Sequence, residues 1–138
     1  MRAPIAGLFL LALCCGPASA QQAPAKPAPL EAAPPAEAPP PYEPQLLRLA
    51  ELMGALSYLR ELCGESDANA YHDKMGALLD AEARSQSRRE SLAGAYNRSF
   101  RDYQTAYRKC TPAAREVVAG FLAETAKLTA DIANRYGG

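Results

Sequence analysis

Nine of the chain's twelve prolines fall between Pro24 and Pro44, and beyond them only Pro112 interrupts the chain. Proline fixes its own backbone torsion and lacks an amide hydrogen, so neither helix nor sheet runs readily through residues 21–44. Alanine fills the spaces, with Lys26, Glu31 and Glu37 the only charges between residues 21 and 42. The stretch is predicted to be a disordered, extended, polyproline-like tether. A semi-rigid spacer is the default reading, and a ligand for a proline-binding partner is the alternative. The folded domain is thereby confined to residues 45–138.

Residues 1–20 have the layout of a secretory signal peptide: Arg2, an apolar run from Ile5 to Cys15, and Ala18-Ser19-Ala20 as a small-x-small cleavage site. That run is too short to span a bilayer, and no later segment approaches the length of about 20 apolar residues a span requires. No transmembrane span is predicted, and the mature chain is expected to start after Ala20 in the periplasm or outside the cell. Leu11-Ala12-Leu13-Cys14 offers a lipobox-like alternative that would place a lipid anchor on Cys14 or Cys15. The bulky Leu13 before Cys14, and Cys14 before Cys15, make this the less favoured route.

Removing the leader takes Cys14 and Cys15 with it and leaves Cys63 and Cys110. An exported chain with one remaining cysteine pair invites a disulfide. Closing its loop of about 48 residues contributes roughly 4 kcal/mol in the loop-entropy model. The competing roles have less support. A metal site needs further close ligands, and His72 is the single histidine. Redox catalysis usually carries Cys-x-x-Cys, which is absent.

The remaining pattern is helical throughout. Leu49, Leu52, Leu56, Leu59 and Cys63 recur at three- and four-residue steps, with Gly64 as a stop. Ser66 or Asp67 is a plausible N-cap for a second helix carrying Tyr71, Met75, Leu78 and Leu79. A break is predicted near Ser85 to Ser87. A third segment aligns Leu92, Tyr96, Phe100, Tyr103, Tyr107 and Cys110 on one side. Thr111-Pro112 reads as N-cap and first helical residue of a fourth helix bearing Val117, Val118, Phe121, Leu122, Leu128 and Ile132. No segment alternates as a strand requires. The prediction is an all-α, four-helix, up-down bundle. In that topology helices one and three end at the same pole, where their cysteines also lie.

Charge is sorted along the chain although its total is zero. Residues 43–83 hold three basic against eight acidic side chains, while residues 84–110 hold seven against two. Arg98, Arg101 and Arg108 are a candidate anion-binding face, and the simpler reading is that acidic helices lie beside a basic one. The aromatic stripe Tyr96, Phe100, Tyr103 and Tyr107 is a candidate ligand-facing surface, with core packing as the alternative. Leu47, Tyr58 and Leu62 form a second apolar strip on helix one and are a candidate partner face. A central position in the bundle would explain it equally. His72 and Asp73 point about 100° apart on a helix and do not readily share a site. No serine lies in a Gly-x-Ser-x-Gly or Ser-x-x-Lys frame, so no catalytic residue, metal or cofactor is predicted.

Tyr58-Leu59-Arg60-Glu61-Leu62-Cys63, Tyr96-Asn97-Arg98-Ser99-Phe100 and Cys110-Thr111-Pro112-Ala113-Ala114 resemble motifs of a family of small exported Gram-negative bacterial proteins catalogued only as a domain of unknown function. The resemblance runs from about Leu46 to Leu128. It implies an exported domain with a cysteine pair and transfers no catalytic residue. The functional expectation is a non-enzymatic envelope module that binds an envelope protein or self-associates. A small-ligand or lipid-binding bundle using the aromatic stripe is the second reading. Nucleic acid, which an exported protein seldom meets, is not an expected partner.

Overall fold

Leucines in four successive turns of one segment need more apolar neighbours than a surface helix can offer, and the fold supplies them on every side. The computed structural model describes residues 38–137. The expected leader, its Cys14 and Cys15, and residues 21–37 of the expected tether lie outside the described residues. The four helices, in chain order, are α1 (Glu43–Leu62), α2 (Ala68–Glu82), α3 (Gln86–Ala106) and α4 (Pro112–Tyr136). No strand occurs among the described residues.

α1 begins inside the proline-rich stretch, because Pro44 sits in its first turn. A proline there costs little: the amide it lacks would have no intrahelical partner. α1 ends at Gly64, whose φ of 74° is the left-handed conformation glycine adopts without strain. The Gly64 amide donates to Glu61 O and the Glu65 amide to Arg60 O, a Schellman closure. Asp67 occupies the N-cap position of α2 without capping it; its carboxylate is taken by Arg60 instead. α2 and α3 are separate helices. The chain turns through Ala83, Arg84 and Ser85, and the Ser85 hydroxyl accepts from the Arg88 amide as the cap of α3. Thr111 caps α4 by accepting from the Ala114 amide, with Pro112 as its first residue.

The helices alternate in direction as expected. Glu43 and Arg88 join the starts of α1 and α3, and a Cys63–Cys110 disulfide joins their far ends. The arrangement differs from a square bundle, in which α1 and α3 would be diagonal partners. α1 is the hub, packing against α2, α3 and α4, and its closest neighbour is α3. Gly54 allows this. A Cβ there would collide with the Tyr96 carbonyl oxygen, so only glycine lets the two backbones approach this closely. Leu52, Leu56 and Leu59 of α1 and Leu92 of α3 are sealed from solvent. α2 also touches α3, whereas the backbone of α4 approaches α1 alone.

One expectation is corrected. The periodicity of the third segment predicts a helix through Cys110, but α3 ends at Ala106 and Tyr107 is extended, with φ −121° and ψ 119°. Cys110 therefore lies in the connection to α4. The cap-and-proline start at Thr111-Pro112 requires non-helical backbone just before it, which stops α3 early.

Candidate functional site

The expected site residues are dispersed by the fold. Cys63 and Cys110 are brought together, their Cα atoms 4.9 Å apart in the disulfide. Leu47, Tyr58 and Leu62 are half-buried and pack against the core, and the Tyr58 hydroxyl donates to the Tyr107 carbonyl. The second apolar strip of α1 thus reflects its place at the hub.

The aromatic stripe fills seams between helices. The Tyr96 hydroxyl donates to Ser57 Oγ at 2.8 Å, and Phe100 meets Tyr58 edge-on with ring centres 5.5 Å apart. Tyr103 meets Phe121 of α4 edge-on at 5.4 Å and stacks on Tyr107. Burial raises the Tyr103 phenol above its usual pKa. The four residues are half-buried and line no common groove, Tyr96 bordering one cleft and Tyr103 another.

The charges of α3 divide into two sets. Arg88 and Arg89 meet the acidic helices, through Glu43 of α1 at 2.8 Å and Asp80 of α2 at 3.1 Å. Arg98, Arg101 and Arg108 are exposed and enter no ion pair among the described residues. His72 is exposed beside Asp73, Nδ1 to Oδ1 3.6 Å. No group of three or more His, Cys, Asp or Glu side chains among the described residues is placed to hold a metal ion. No described helix is long and apolar enough to cross a membrane.

The main concavity lies elsewhere. Because α2 and α4 both rest on α1 without approaching each other, a groove of about 440 Å³ opens between them. Leu49 and Met53 of α1 form its floor. Tyr71, Lys74 and Leu78, at helical spacings of three and four, form the α2 wall. Leu122, Thr125, Ala126 and Thr129 form the α4 wall with the same periodicity. The volume falls in the range of small-molecule sites, and the lining is mainly apolar, as such sites are.

Its polar groups are few: Tyr71 and Lys74 on the α2 wall, Thr125 and Thr129 on the α4 wall. The Lys74 ammonium stands 4.9 Å from the Tyr71 ring centre, a cation–π contact. Burial raises the Tyr71 phenol above its usual pKa, only partly countered by nearby Arg60, so the ring under the ammonium stays neutral. The Thr125 hydroxyl is buried without a hydrogen-bond partner among the described residues. α4 is held in place by Arg48, which makes two hydrogen bonds to Glu124, at 2.8 and 3.0 Å, and a third to Glu51. Those bonds from Arg48 hold the Glu124 carboxyl below the usual range. Toward the disulfide, Leu122 also lines a separate, smaller pocket of about 180 Å³ together with Arg60, Cys63, Glu65 and Arg115.

Leu49, Tyr71, Leu78 and Leu122 sit on apolar helix faces that sequence periodicity assigns to core. Periodicity reports which face is apolar and is silent on whether the opposing helix closes over it. The one sequence signal that points to the groove is Lys74, a cation one turn after a buried tyrosine.

These features define an all-α domain organised on one central helix, stapled at one pole, with an apolar groove on one side. The chain belongs to the family described as Protein of unknown function (DUF2385), whose model matches residues 41–136. No curated protein and no solved structure matches it.

Proposed function

We propose that this protein is an exported, non-enzymatic binding domain of the bacterial envelope that works through the groove between α2 and α4. The groove is the observation that carries the reading: it is a mainly apolar concavity of about 440 Å³ on a surface where, among the described residues, Tyr136 is the one exposed large apolar side chain. A broad hydrophobic interface with an envelope protein would need a wider apolar patch than this surface presents. Export is supported by the leader-like residues 1–20 and by a cysteine pair close enough to be bonded, since disulfides persist in oxidising compartments. The proline-rich stretch then acts as the tether that sets the domain's reach.

The test is site-specific photo-crosslinking in cells. A photoreactive side chain at Ala126, in the groove, is compared with one at Ala133, exposed on the same helix and outside it. Adducts are expected from position 126 alone. Identical adducts from both positions, or none from either, would remove the groove from consideration. Recovery of a chain that begins near Gln21 with two hydrogens fewer than the dithiol checks export and oxidation together. A chain that retains residues 1–20 would refute export.

A further inference from the structure

Resting on that reading, we infer that the α2–α4 groove binds a free single-chain anionic amphiphile, its chain along Leu49, Met53, Leu78 and Leu122 and its acidic head at the disulfide pole. Shape comes first. Tyr71 to Leu78 and Leu122 to Thr129 each span seven residues, so the two walls run side by side for about 10 Å at 1.5 Å per residue. A channel that long with an apolar floor and walls suits an extended hydrocarbon chain. The Met53 floor adds an adaptable surface for such a chain.

Charge then orients it. α2 and α4 both start at the disulfide pole and run antiparallel to α1, so Tyr71, Met53 and Leu122 are the lining residues nearest the disulfide. At that pole Lys74 lies over the Tyr71 ring and forms no ion pair among the described residues. Leu122 lines both the groove and the smaller pocket beyond it, where Arg115 stands. The Arg115 guanidinium makes a single contact, Nε to Cys110 Sγ at 3.4 Å, and also lacks a carboxylate partner among the described residues. Of the acidic groups at this pole, Asp67 and Glu65 are engaged by Arg60, at 2.6 and 3.7 Å, while Glu61 and Glu116 are exposed and enter no ion pair among the described residues. Lys74 on the groove wall and Arg115 in the neighbouring pocket are thus two cations without a carboxylate partner among the described residues, suited to a carboxylate or phosphate head on an alkyl chain. The Tyr71 hydroxyl, without a partner among the described residues, supplies a further donor on the same wall.

The experiment uses the chain with its disulfide intact and its methionine methyls labelled for NMR. Met53 lies in the groove, whereas Met75 lines the separate cleft beside His72 and Tyr96 and serves as an internal control. Dodecanoate below its critical micelle concentration is expected to shift the Met53 methyl saturably and leave Met75 in place. Lys74→Gln combined with Arg115→Gln should weaken dodecanoate about tenfold without weakening dodecyltrimethylammonium, since charge-assisted contacts are lost from one head and not the other. Ala126→Trp, on an exposed position of the wall, should abolish the Met53 response while circular dichroism stays unchanged.

An unmoved Met53, or equal binding of the anionic and cationic amphiphiles, would overturn the inference. So would binding to anionic phospholipid vesicles that Ala126→Trp leaves intact, because the occupant would then not be a free chain in the groove. If dodecanoate fails while position 126 still crosslinks in cells, the ligand class is wrong and the groove stands. If both fail, the binding reading falls with it.

Discussion

At the scale of single residues, two positions carry more of this fold than their chemistry suggests. Gly54 is a glycine within a helix, where it costs backbone entropy relative to alanine. It is retained by geometry, because any side chain would strike the Tyr96 carbonyl. Gly54→Ala is therefore expected to destabilise the domain by about 1–3 kcal/mol, the cost of overpacking, instead of stabilising a helix. Urea denaturation decides the sign. Glu124 is the second position. Its carboxyl is held low by Arg48, so its contribution is present above the unfolded value of about 4.3 and is lost as pH falls through the folded value. Both side chains are about two-fifths exposed, at 42% each, so solvent screening limits the pair to about 0.5 kcal/mol. Glu124→Gln should be less stable than the parent at pH 7 and indistinguishable from it near pH 3.

At the scale of elements, the helix ends are more legible in the sequence than the helix contacts. Gly64, Thr111 and Pro112 each act through their own backbone and neighbours within a few residues, and each stands where its residue type predicts. Asp67 also occupies its expected N-cap position, but its side chain serves Arg60 and leaves the cap unmade. A nearby guanidinium outcompetes a backbone amide, and sequence alone does not reveal that the two lie together. Thr111→Ala removes the hydroxyl that accepts from Ala114 and should cost about 1 kcal/mol, read by thermal unfolding. Thr111→Ser, which keeps the acceptor, should recover most of it.

At the scale of the molecule, one helix organises the rest and one covalent bond closes it. The backbone of α4 approaches α1 alone, with Val118, Ala114 and the Arg48–Glu124 bonds on that side and the Phe121 ring reaching Tyr103 of α3, so it has the fewest helix neighbours to lose on opening. Hydrogen exchange should show α4 amides opening before those of α1 and α3. The disulfide ties α1 to the α3–α4 connection and so limits how far α4 departs. Reduction, or Cys63→Ser with Cys110→Ser, should cost about 4 kcal/mol and speed exchange at the start of α4 to match its far end. An unchanged melting temperature after reduction would deny the disulfide its structural role.

The sequence by itself determined the four helices, their starts, the stop at Gly64, the cysteine pair and the apolar face of each element, because these arise from local torsions and from periodicity along one chain; it did not determine the early end of α3 at Ala106. It also marked α1 as apolar on two sides without saying why. Only the tertiary structure decided that α1 is the hub and that Gly54 sets the α1–α3 approach, and it places Leu47, Tyr58, Leu62 and the aromatic stripe, half-buried, against neighbouring side chains. It alone decided that α2 and α4 stay apart and leave a groove. Which helix covers which face depends on steric fit between distant residues, and no pattern within one helix encodes the gap left when two neighbours fail to meet.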